Sequence, residues 1–560
     1  MNEQNNQFVP PNIIYPNAYI KPKKVYVPLD KKDRLYFVFV FISVFLFVDS
    51  VSCGFRLGFT LFYLFNFVVT TLYLFDKKRK PGAFALICGA LSVLESVSFA
   101  LFDADNYLMI FLKLVLTFLL YSVYSLGMSN GFSDSVSSYK MLFDLVYDTF
   151  CRAFKGIGEV FGSFKAGSKK DKNSIWTFAG IAFSLPVLLV VVPLLIKSDA
   201  AFEGLANKIF SNMGSYIGEF VFALIIFPYF VSFLYTKKEN LIKLKPIDTA
   251  ALRKIPYTAC VSFLTVISLV YVLYLFSQLA YFFSAFSLVL PEGYKFTASS
   301  FARRGFYEMF AVCMINILLI SVINAFSKRL SNGKTPLTIK LLSAFVSLFN
   351  ILLIICTMQK MKLNVSIYGL SENRVLVSTF MIMIFVVMLF FIAHIFVPKL
   401  PYMQATVIIC SLIFVTLSFS NMSSQITRYN IIEFNNKQIV QFDIDAACDM
   451  GDGAVPYLIE LAKNDDVISQ KAVEMITSKI WDDYSDYFSA AMGNEDLIYT
   501  PEYNISNYNY SRQKSAKAIY DYYVELKNTD EEKAYYLRHA TYKQEQNSMN
   551  EIVYDSSNYM

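Results

Sequence analysis

LYFVFVFISVFLFVDSVSC, residues 35–53, carries a single charge, Asp49. A run of this length spans a hydrocarbon core of about 30 Å as an α-helix, and inside lipid only a helix or a closed barrel can satisfy its own backbone. The next run, 57–75, stops at Lys77, Lys78, Arg79 and Lys80, and the pattern then repeats. Further runs occupy 82–102, 106–127, 175–196, 216–235, 257–282, 306–326, 339–358, 375–397 and 402–420, which makes eleven. Of 560 residues 55% are hydrophobic and only 17% charged, with 54 Phe and 38 Tyr. Soluble domains are about a quarter charged. The sequence therefore predicts an all-α polytopic transmembrane bundle and excludes a water-soluble globular enzyme.

Charge is divided along the chain. Residues 1–420 hold 38 Lys and Arg against 21 Asp and Glu, net +17, while residues 421–560 hold 12 against 23, net −11. The tail lacks a long apolar run and is long enough for a core of its own, so it is expected to be an acidic soluble α-helical domain. Residues 1–34 are polar, rich in Pro and Asn and then basic, unlike a secretory signal peptide, and read as a disordered cytoplasmic segment. Cytoplasmic loops retain Lys and Arg. With the N-terminus inside, the inner segments hold 28 of the 38 basic residues and the outer loops nine. The expected organisation is four spans over 35–127, a cytoplasmic amphipathic helix and linker over 128–174, seven spans over 175–420 and an extracytoplasmic domain over 421–560. Eight cysteines without a CxxC pair exclude a zinc site or disulfide framework. Two histidines, His394 and His539, exclude the usual His-based sites.

Within 128–174, Tyr139, Leu142, Phe143, Val146, Tyr147, Phe150 and Phe154 recur at helical spacing, with Lys140, Asp144, Asp148, Arg152 and Lys155 opposite. Lys140 with Asp144, and Asp148 with Arg152, are four apart and able to pair. This predicts a helix on the inner leaflet, with residues 137–155 as an alternative seat for a cytoplasmic partner. The Gly- and Lys-rich stretch from Lys155 to Asn173 reads as a flexible tether.

Charges at membrane depth need a reason. Glu95 and Lys113 each lie nine residues from Ala104, about 13 Å deep at ~1.5 Å per residue, so they are level on neighbouring antiparallel helices. They are a candidate intramembrane ion pair. Pro186 and Pro193, in LPVLLVVVPLL, kink one span. On the outer side Arg303, Arg304, Arg374 and Arg428 stand where arginine should be scarce, with Glu308, Glu372 and Glu219 at the same level. Guanidinium forks suit phosphate and carboxylate, so the four arginines are a candidate anion-binding region, with Glu308 and Glu219 as supporting acids.

The blocks SDAAFEGL (198–205), FARRGFYEM (301–309) with Asn316 beyond it, YGLSENRVLV (368–377), ITRYN (426–430) and FDIDAACDMGDGAVPYLIELA (442–462) occur in this order. In these blocks the chain resembles the bacterial multipass membrane proteins of the domain-of-unknown-function 4153 and 4173 type. The resemblance runs with gaps from about residue 35 to 530. It implies a bacterial polytopic protein of the cell membrane and carries over no catalytic residue. Asp443, Asp445, Asp449 and Asp452 lack calcium-loop spacing. A helical reading explains more: Asp443 or Asp445 caps a short helix that Gly451 ends, and Asp452 caps the next, from Ala454 to Lys463.

No motif asks for a cofactor, a metal or nucleic acid. Three function classes stay open. The first is a non-enzymatic envelope sensor or scaffold, with membrane lipids around it and a protein partner on 421–560. The second is a transporter or lipid translocase with an outer anion cleft, and the third is a membrane enzyme acting on a lipid-linked anion through those arginines with Glu308 as base.

Overall fold

The computed structural model describes residues 26, 28–75, 81–102, 106–129, 140–167, 191, 214–238, 253–287, 306–330, 334–436, 450–464, 467–490, 497–501, 504–530, 533, 534 and 537. Ten helices among them are long and apolar enough to cross a membrane. They are α1 (Lys31–Ser52), α2 (Leu57–Leu74), α3 (Ala83–Leu101), α4 (Tyr107–Met128), α7 (Gly214–Lys238), α8 (Tyr257–Ser287), α9 (Phe306–Phe326), α10 (Leu337–Tyr368), α11 (Glu372–Phe396) and α12 (Tyr402–Phe419). Each matches an expected run; the eleventh, 175–196, lies outside the described residues apart from residue 191, as do Pro186 and Pro193.

Local chemistry sets the helix ends. Asp30 and Asp33 form a reciprocal capping box at the start of α1, with each carboxylate accepting from the other residue's backbone N–H. Gly54 and Phe55 take positive φ values of 75° and 58°, which turns the chain into α2 within a few residues. Gly369, at φ 72°, stops α10, and its N–H donates to the Val365 carbonyl.

The spans form two packed groups. In the first, α1, α2, α3, α4 and α7 share an aromatic-rich core that includes Val44, Phe59, Phe62, Tyr121 and Tyr235. In the second, α8, α9, α10 and α11 pack around Ile320, Val346, Phe349 and Met381. Helix α12 touches both groups through α3 and α11. The chain ends alternate between two faces. Asp33, Tyr73 and Lys238 meet on one, and Ser52 meets Glu219 on the other.

On the first face lie α5 (Lys140–Val146), a π-helical turn (Tyr147–Arg152) and α6 (Ala153–Gly167). One expectation is corrected here, and the predicted helix gains an orientation. The charged side of this helix is turned inward, with Asp144, Asp148, Arg152 and Glu159 buried while Val146, Phe150, Phe154 and Phe161 are exposed. Lys237 on α7 draws Asp148 inward, as the next subsection details. The stretch 156–167, expected as a tether, is helical. Gly156 lets α6 close on α7, where an added Cβ would fall 2.2 Å from Thr236 and 2.3 Å from Ser232.

On the second face, α13 (Met422–Asn435) leads to the tail elements α14 (Val455–Ala462), α15 (Val467–Asp482), β1 (Phe488–Ala490), β2 (Leu497–Tyr499) and α16 (Tyr510–Thr529). The architecture is all-α, and β1 pairs with β2 as a small antiparallel hairpin. Leu458, Ile476, Ile480, Tyr487, Ile519 and Tyr523 form the tail's core. Asp452 does not cap α14, which is entered through a 3-10 turn. Its carboxylate accepts from the Tyr484 hydroxyl at 2.5 Å instead. The tail also rests on the spans. The Leu57 N–H donates to the Tyr508 carbonyl at 3.1 Å, Asn509 Nδ2 donates to the Phe99 carbonyl at 3.0 Å, and Arg56 donates to Asn507. Gly58 permits this approach, because a Cβ there would lie 3.1 Å from the Ser506 Cβ.

Candidate functional site

The densest buried charge lies where the π-helical turn meets the last turn of α7. Lys237 Nζ is 2.8 Å from Asp148 Oδ2, and Arg152 Nη1 is 3.2 Å from Asp148 Oδ1, with all three side chains at most 1% exposed. Lys237 also donates to Ser125 Oγ at 2.7 Å and sits 3.5 Å above the Phe233 ring. Arg152 Nη2 donates to the Thr236 carbonyl at 3.0 Å. A π-helical turn is a recurrent mark of functional sites. Charges held this deep persist only when paired and hydrogen-bonded. One residue along, Lys238 binds Asp33 at 2.6 Å and Asp30 at 3.0 Å, and Tyr73 donates to Asp33 at 2.8 Å. Partial burial pushes the Asp30 carboxyl up, but the Asp33 backbone and the Lys238 ammonium outweigh it and hold it below the usual carboxylate value.

Above this node a cavity of about 40 Å³ is lined by Asn66, Tyr121, Ser122, Thr149 and Tyr229 among apolar groups. Its size and polarity suit one to a few waters. Polar contacts continue from it through the first group of spans. Thr70 and Tyr121 share a bond of 2.6 Å, Tyr63 donates to Ser92 at 2.5 Å, and Thr60 donates to the Ser96 carbonyl at 2.6 Å. At the tail end of the column Glu95, fully buried, accepts from Ser418 Oγ of α12 at 2.7 Å, and its Oε2 has no hydrogen-bond partner among the described residues. Lys113 faces Glu95 electrostatically, with its ammonium 4.3 Å from the centre of the Phe99 ring. The two charges expected to pair are therefore both buried at the α3–α4 contact, and each has additional company that sequence spacing did not reveal.

The model of a domain of unknown function, DUF4153, matches residues 89–461. The chain belongs to the DUF4153 family. No curated protein and no solved structure matches it. The DUF4153 match takes in Glu95, Lys113, Asp148, Arg152 and Lys237, whereas α1, α2 and everything beyond residue 461 lie outside it.

Of the candidate anion region, Arg303 and Arg304 fall outside the described residues. Arg374 Nη1 donates to the carbonyls of Gly369 at 2.6 Å and Tyr368 at 3.3 Å, so it closes the C-terminus of α10. Arg428 is exposed on α13, Glu308 is exposed in the first turn of α9, and Glu219 accepts from Ser52 at 3.0 Å. Asn430 fastens this corner, accepting from the Leu370 N–H at 2.6 Å and donating to its carbonyl at 2.9 Å.

Sequence reading missed a second polar feature of this DUF4153 chain. Ser343, Ser347, Asn350, Thr357, Lys360 and Asn364 are all buried and line one face of α10. Asn350 accepts from Asn316 Nδ2 of α9 at 2.7 Å and donates to the Cys313 carbonyl, while Tyr271 of α8 donates to Asn316. The signal was there as polar residues three, four or seven apart inside an apolar run, a spacing that places them on one side of a helix.

Proposed function

We propose that this integral membrane protein is a non-enzymatic envelope sensor or scaffold that couples its acidic tail on one side of the cytoplasmic membrane to the helix 140–167 on the other. The charge split supports placing the N-terminus in the cytoplasm and 421–560 outside it, as a soluble helical domain. One observation carries the coupling. Helix α2 meets the tail through Leu57 and Gly58 in its first turn, and near its other end Thr70 and Thr71 bond Tyr121 and Tyr124 of α4. Helix α4 in turn supplies Ser122 and Ser125 to Thr149 and Lys237. A state of the tail that alters its seat on α2 thus acts on packed, hydrogen-bonded elements that reach the charged node.

The exposed Cys151 in the π-helical turn is a natural reporter. With the other cysteines replaced and the whole protein in nanodiscs, Gly58→Val with Asn509→Ala is expected to change the N-ethylmaleimide labelling rate of Cys151 by at least about threefold. Equal rates with and without the dock would sink the coupling. The transporter or translocase reading is favoured by the polar face of α10, and substrate flux in vesicles that is lost in Asn350→Leu would support it over the scaffold.

A further inference from the structure

We propose that Glu95 is a proton-binding site whose occupancy governs how the tail is held on α3, a proposal that rests on the tail dock described above. Glu95 lies six residues from the end of α3, about 9 Å along the helix. Among the described residues it joins three attachments at one place. Ser418 of α12 donates to its Oε1, Lys113 of α4 faces it, and its Oε2 is fully buried without a hydrogen-bond partner. Helix α12 runs through α13 into the tail. One turn after Glu95, Phe99 offers its ring to the Lys113 ammonium and its backbone carbonyl to Asn509 of the tail. The same residue thus touches both the charge that answers to Glu95 and the hydrogen bond that seats the tail.

Among the described residues Glu372 is a second acid near this junction, half-buried at the start of α11 beside Asn106 at the α4 cap and Ser423 of α13, and the Glu95→Gln profile below separates the two. Helix α2 brings Tyr63, bonded to Ser92 one turn away. Helix α12 carries no charged residue, and α16 carries Arg512, engaged with the Asp483 carbonyl. Cys88, two turns back on α3, is buried among apolar groups. In the step itself one proton from water on the tail side forms an O–H bond at Oε2, and the carboxylate becomes a neutral acid still accepting from Ser418. No other bond changes. The negative charge facing Lys113 disappears, so the attraction that draws the ammonium toward α3 and across the Phe99 ring weakens. Displacing Phe99 weakens the acceptor that Asn509 uses, so proton uptake loosens the dock.

Hydrogen–deuterium exchange of residues 505–512 in the full chain in nanodiscs, corrected for intrinsic pH dependence, tests this from about pH 8 to about pH 5. The wild type should exchange at least about tenfold faster at the acid end through a one-proton transition, and Glu95→Gln should remain at the fast level throughout. If Glu95→Gln fails to fold, Ser418→Ala replaces it, and loss of the donor to the carboxylate should move the midpoint up by about one pH unit. An unmoved midpoint, a wild type without a transition, or a Glu95→Gln profile equal to wild type overturns the proposal. Asn509→Ala separates the two readings: protection that depends on Asn509 but not on pH overturns the proton site alone, whereas protection indifferent to Asn509 overturns the dock and the proton site with it.

Discussion

Asp148→Asn would leave two cations facing one neutral amide in a buried site. Lys237 at 2.8 Å and Arg152 at 3.2 Å both depend on the Asp148 carboxylate, and none of the three reaches solvent appreciably. Two unit charges about 4 Å apart attract by ~4 kcal/mol at an effective dielectric near 20. Removing one partner of a buried pair typically costs about 3–5 kcal/mol. Asparagine still accepts a hydrogen bond, which sets the expectation for Asp148→Asn near the lower bound, about 3 kcal/mol. Lys237→Met alone should also destabilise, because Asp148 keeps only Arg152 and Ser125 loses its donor. The double variant removes one charge of each sign and should recover about 2 kcal/mol relative to the sum of the singles. Reversible unfolding in mixed micelles, followed by far-UV circular dichroism, measures all four proteins. If the cycle closes to within about 0.5 kcal/mol, the three groups do not act as a unit and the node is only a coincidence of packing.

Asn350→Leu should cost about 1–2 kcal/mol by leaving the Asn316 amide without its acceptor among apolar neighbours, and Asn316→Leu added to it should restore part of that; an Asn350→Leu protein as stable as wild type would argue that the contact carries no weight. A C-terminal alkaline phosphatase fusion should be active and an N-terminal one inactive, and the reverse pattern would overturn the charge-based orientation.

Span positions were legible because length and apolarity are one-dimensional properties of the chain, as residues 35–53 illustrate. The Asp148–Arg152 pair was legible for the same reason, since a spacing of four is local. What that pair faces was not. The amphipathic pattern over 139–155 told two sides apart, and only the arrival of Lys237, 89 positions after Asp148, decided that the charged side turns inward. Glycine misled in a similar way, because Gly156 reads as freedom in sequence and serves as a contact against Thr236 in space. Arg374 looked available for an anion, yet it closes the end of the helix immediately before it. The polar face of α10 was visible as spacing, but without its neighbours nothing distinguished it from tolerated serine and asparagine. The seat of the tail on α2 and α3 pairs residues about 400 positions or more apart and has no sequence signature at all.

That separation has a consequence for synthesis. Arg56 leaves the ribosome 451 residues ahead of Asn507, and translation runs at about 5–20 residues per second. The elbow between the first two helices therefore waits roughly 20–90 s for Asn507 and Tyr508 while nearly the whole chain is still being made. During that interval an insertase or chaperone can occupy the seat that the tail later claims, so a nascent chain stalled before residue 505 should crosslink through position 56 to whatever guards it.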